Sequence, residues 1–169
     1  PYTTLFRSQY ESRLGFVAAL DWLWNDLPPD ECESLARDFT DYLYALRTDL
    51  RFRNHIGAAY YYEPAILWHA GLTLFRPDLE PVERMRVLTI LGHGYFNHMQ
   101  ANYLRHIDVM KDRGYSSSIE YAMATTPQPF WTFLHCWRSA IGSIPDEWSF
   151  AGGFAPSFVL RYVFEFKKG

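Results

Sequence analysis

Apolar positions recur along the chain at spacings of three and four, the period of amphipathic helices. Leu35, Phe39, Leu43 and Leu46 predict a helix from Glu31 to about Arg47. Leu14, Val17, Ala18, Leu20, Trp22 and Trp24 predict another over residues 9–26, ended by Pro28-Pro29. Asp30 is the expected N-cap of the second helix, with Glu31 and Glu33 in its first turn. The turn between these helices is short, so they should lie antiparallel. A third helix carries Ile66, Leu67, Trp68, Leu72 and Phe75, starting at about Ala58, or near Pro64 if that proline marks its first turn. A fourth opens at Pro81 and runs through Met85, Leu88, Leu91, Tyr95 and Met99 towards Met110. Gly92 and Gly94 weaken its middle and predict a kink or a division there. A fifth, from about Pro129 to Ile141, carries Phe130, Phe133, Leu134, Trp137 and Ile141 and ends at Gly142. The stretch SFVLRYVFEF from Ser157 reads as a short strand or the start of a further helix.

Helix, short turn, helix and longer polar connection then repeat without a fixed sequence period. Helical hairpins in a toroid or solenoid read this way. The expected fold is all-α: antiparallel helical hairpins forming part of an incomplete (α/α) toroid. Two polar connections interrupt the helices. RFRNHIGAAYYYE spans Arg51 to Glu63, and DRGYSSSIEYAM spans Asp112 to Met123. Alternate loops of such an array emerge at one end, so these two are expected to share a cleft.

Composition narrows the picture. With 49% hydrophobic and 21% charged residues the chain is globular rather than disordered. A net charge of −3 without a basic block argues against a nucleic-acid surface. No run approaches the roughly 20 apolar residues of a membrane span. Cys32 and Cys136 make no CxxC pair, and two buried thiols are expected. Aromatics at 18% fit either a packed helical core or a carbohydrate site, where flat rings stack on sugar faces.

The six histidines do not assemble a metal motif. His93 and His98 are five apart, a poor match to one face of an α-helix, and there is no HExxH. His98 and His106 lack a carboxylate on their face, so no metal and no cofactor are expected. No GxSxG and no phosphate loop is present. The amide, imidazole and phenols of the two polar connections suit one reaction class, removal of a proton next to a carboxylate. Neutralising the carboxylate stabilises the enolate-like charge, and a histidine or tyrosine takes the proton. On residue types alone, Asn54 as a helix cap and His55 packed on Tyr61 remains the competing reading.

FVAALDWLWNDLPPDECESLARDF, from Phe16 to Phe39, resembles the opening of the toroid domain in heparinase II/III-like and alginate-lyase-like polysaccharide lyases. The next landmark in that superfamily is an Asn-His pair in a loop before an apolar helix, and Asn54-His55 stands in its place. A tyrosine-bearing loop follows in the family, and Asp112–Tyr121 corresponds to it in order. The family loop is richer in glycine than SSSIEY. The resemblance implies β-elimination on an acidic polysaccharide. Asn54 would polarise the uronate carboxylate, His55 would help neutralise it or act as base, and Tyr121 or Tyr115 would be the acid/base. Arg53, Tyr61, Trp68 and Glu120 would bind substrate. It further implies a periplasmic or secreted protein and a C-terminal β-sandwich domain that this sequence lacks.

The ends carry expectations of their own. PYTTLFRS at residues 1–8 reads like a translated sequencing adapter. Residues 9–169 are then expected to be a toroid domain truncated at both ends, inactive by itself. Two other functions stay open from the residues. A toroid glycoside hydrolase would need two of Asp21, Glu63, Asp108, Asp112 and Glu120 roughly 5–10 Å apart. A non-catalytic scaffold would bind sugar or protein through its aromatic surface.

Overall fold

The computed structural model describes residues 15–48, 66–104 and 127–148, and all the regular structure among them is helical. The chain divides into two compact units, Pro1–Met99 and Gln100–Gly169. The stretch SFVLRYVFEF lies outside the described residues.

In the first unit, α1 covers residues 15–23 and α2 covers Pro29–Leu46. The turn between them is closed by backbone bonds from the Asp26 and Leu27 amides to the Leu23 carbonyl, at 2.9 and 3.0 Å. Two contacts fix the direction of the pair. The Phe16 and Phe39 rings lie 5.5 Å apart, and the Cys32 thiol donates to the Trp24 carbonyl at 3.2 Å. The start of α1 therefore meets the second half of α2, and its end meets the start of α2, as the short turn predicts.

The expected cap is corrected. Pro28 is the N-cap of α2, Pro29 opens its first turn, and no side chain caps it. A proline in the first turn lacks the N–H that a cap would serve, and its fixed φ suits a helix start. Pro29 also forces Pro28 into extended backbone, with ψ at 137°. Asp30 falls inside the first turn with Glu31, where its charge still favours the helix N-terminus.

The buried face of α2 is rotated from the one its large residues suggest. Cys32, Ala36, Thr40, Leu43 and Leu46 are buried, whereas Leu35 is 37% exposed. Small side chains let α2 approach its neighbours closely. The Thr40 hydroxyl does not disturb this, since it donates to the Ala36 carbonyl at 2.8 Å. On α1, Val17 and Leu20 enter the core while Trp22 stands 78% exposed.

α3 covers Leu67–Leu74 and α4 covers Pro81–Gly92. Their approach is set by glycine. A Cβ on Gly71 would lie 2.6 Å from the Leu91 Cα, and one on Gly94 would lie 2.7 Å from the Leu67 carbonyl carbon and 2.8 Å from the Trp68 Cα. These pairings run in opposite order along the two segments, so α3 and α4 are antiparallel. Asp21 acts electrostatically on His69, and the Arg76 guanidinium lies 4.5 Å over the Trp24 ring. These contacts bring the end of the first hairpin's α1 segment near α3 and the residues after it. The two hairpins pack together around Val17, Leu20, Leu43, Leu46, Ile66, Leu67, Leu74, Val87 and Ile90.

The long fourth helix is divided, at the place the glycines predict. α4 ends at Gly92, and His93–Leu104 winds as a π-helix. The wider winding brings residues four and five apart onto neighbouring positions. Met85 and Leu88, expected on the apolar stripe, are exposed, and Val87 and Ile90 take the core positions instead.

In the second unit, α5 runs Pro127–Ile141, two residues longer at its start than the apolar spacing suggests. Phe133 is fully buried, with Trp148 at 4.7 Å and Trp137 at 5.4 Å between ring centroids. Trp148 belongs to a 3₁₀ turn, Asp146–Trp148, and Gln100 donates to the neighbouring Glu147 carboxylate at 2.7 Å. Gly142 ends α5 as expected, with φ at 89° and its amide bonded to the Arg138 carbonyl. No atom crowds the position. Gly142→Ala should therefore lose about 1 kcal/mol by backbone conformation alone. Urea unfolding checks this, with Gly142→Asn expected to lose less.

Candidate functional site

Most of the residues singled out by sequence lie outside the described residues. Arg53, Asn54, His55 and Tyr61 fall in 49–65, and Tyr115, Glu120 and Tyr121 fall in 105–126. Among the acids of the hydrolase reading, Asp21 is described and is exposed. Trp68 is described too, and it is only 3% exposed. Its backbone is what Gly94 packs on, and its ring stacks on His69 at 5.1 Å. Trp68 is a core residue of α3, not an open platform for a sugar ring.

The flanking helices define one end of the first unit. α2 finishes at Leu46 and α3 begins at Leu67, with Leu46, Ile66 and Leu67 in one buried cluster. The end of α2 and the start of α3 therefore lie at one end of the unit. The π-helix arrives at the same end, because Gly94 lies against Leu67 and Trp68 and the chain there runs antiparallel to α3.

The π-helix brings polar groups that the sequence reading placed apart. The Asn97 amide and the His93 Nδ1 are 3.1 Å apart, so Asn97 holds the orientation of the His93 ring. His98 is buried, and burial pushes its pKa down to about 4, with the charge of His93 pushing in the same direction. The expectation that a spacing of five separates His93 from His98 assumed α-helical winding. In the π-helix that spacing brings them close enough for the charge of His93 to act on His98.

His69 forms a second polar group, on α3. It is half-buried, and its Nδ1 makes no hydrogen bond to the described residues. Burial lowers its pKa, opposed by the negative charge of Asp21, so the ring is neutral near neutral pH. Nearby, Arg76 combines its stacking on Trp24 with a loose pairing to Asp78 at 3.9 Å.

Comparison with protein-family models, curated proteins and solved structures found no match. The functional reading therefore stands on residue chemistry and on the resemblance in the sequence.

One further cluster of charged groups links two helices. Arg86 of α4 pairs with Asp41 of α2 and, at 3.4 Å, with Glu83 on its own helix. Its guanidinium also lies 5.0 Å from the Tyr44 ring, whose near neighbour Arg47 sits at 3.4 Å. Among the described residues no group of three His, Cys, Asp or Glu side chains could hold a metal ion. No helix among them is long and apolar enough to cross a membrane.

The signal for the π-helix histidines was present in the sequence. Gly92 and Gly94 marked the place where α-helical winding fails, and the face assignment of every residue after them depended on that. The rotation of α2 had a signal too, in the small residues Ala36 and Thr40 placed four apart.

Proposed function

We propose that the chain is part of the (α/α) toroid of a polysaccharide lyase that cleaves a uronate-containing acidic polysaccharide by β-elimination. What supports this reading is sequence order: Asn54-His55 falls in the connection between the α1–α2 hairpin and the α3–α4 hairpin. A toroid is built from such hairpins, and the resemblance sets its Asn-His pair in that connection. The reading also assigns part of the active site, and a β-sandwich domain, to groups outside this sequence.

The chemistry follows from the residue types. The proton on the carbon beside a uronate carboxylate is weakly acidic, and neutralising the carboxylate makes its removal easier. Asn54 donates hydrogen bonds to the carboxylate, and His55 adds positive charge or serves as the base. Tyr121, or Tyr115 in its place, transfers a proton to the glycosidic oxygen as the carbon–oxygen bond breaks. The electron pair of the broken C–H bond becomes the new double bond, so no water and no cofactor is consumed. Arg53, Tyr61 and Glu120 bind the flanking sugars. Trp68, being buried, contributes by holding the start of α3 in place.

A variant series in the protein expressed from its full reading frame tests the roles. His55→Ala and Tyr121→Phe should each lower kcat by about a hundredfold or more, the range for loss of a positioned acid or base. KM should change far less. Retention of full kcat by both variants would remove these residues from the mechanism.

A further inference from the structure

We draw no further inference here: the strongest candidate, the exposed apolar stripe of Val82, Met85 and Leu88 along α4, is an unpartnered face and nothing in the structure shows what covers it.

Discussion

Gly94→Ala is expected to destabilise the first unit by about 3 kcal/mol, at the upper end of the usual range for overpacking. The added methyl would fall 2.7 Å from the Leu67 carbonyl carbon and 2.8 Å from the Trp68 Cα. Both are backbone atoms, so no side chain can rotate out of the way. The start of α3 must move, and with it the buried Trp68 and Leu67. Gly71→Ala meets the same obstacle on the facing strip, 2.6 Å from the Leu91 Cα. Gly92 supplies the internal control. Its nearest contact for a Cβ is the Phe96 ring at 4.0 Å, so the site has room. Gly92→Ala should be neutral or up to about 1 kcal/mol stabilising, because alanine favours helical backbone over glycine. Urea unfolding followed by helical circular dichroism separates the cases. Equal stability of the Gly94 and Gly92 variants would mean that α3 and the π-helix do not meet at Gly94.

Acidification is expected to weaken the fold in the window between about pH 6.5 and pH 4. An unfolded chain protonates its histidines near the ordinary value of 6.5, whereas native His98 does so only at about 4. Between these values the unfolded state binds the additional proton, so stability falls as pH falls. Burial is the main cause, and the charge of His93 adds to it. The full shift corresponds to about 3 kcal/mol by linkage. His69 acts in the same direction, since burial lowers its pKa as well. Titration of the histidine ring protons by NMR is the direct check, alongside urea unfolding across the window. Stability that stays level through the window, or a His98 that titrates near 6.5, would contradict the buried placement of this ring.

Helix existence was legible in the sequence because it depends on local periodicity. The α1–α2 turn, the division of the fourth helix and the glycine stop at Gly142 all followed from proline and glycine placement. Which face each helix buries was less legible. Leu35 looks like core by hydrophobicity, but Ala36 and Thr40 hold the interface because close approach favours small side chains. Met85 and Leu88 repeat the lesson on α4, where Val87 and Ile90 hold the core positions. The cap at Pro28 was missed for a related reason. Asp30 has the right chemistry for a cap, but the backbone constraints of two adjacent prolines decide where the helix begins.

The candidate site was legible as chemistry rather than as geometry. Asn54, His55 and Tyr121 were chosen because their groups suit proton removal beside a carboxylate. Their positions in space were not encoded in any local pattern. The described residues bring together the end of α2, the start of α3, and a π-helix bearing His93, Asn97 and His98 at one end of the first unit. Trp68 shows the converse. Its aromatic side chain suggested a sugar platform, and its place on the inner face of α3 makes it core.

The measurement that tests the lyase reading most directly is the chemistry of the new chain end. The protein expressed from its full reading frame is incubated with alginate-type and heparan-type polysaccharides, and the products are analysed by mass and by ultraviolet absorbance. β-Elimination predicts oligosaccharides whose new non-reducing end is lighter by one water than a hydrolysed end and carries a conjugated double bond that absorbs in the ultraviolet. Products of full hydrolytic mass with no such absorbance would contradict it and point to a hydrolase, and unchanged polymer would point to a scaffold that binds without cutting.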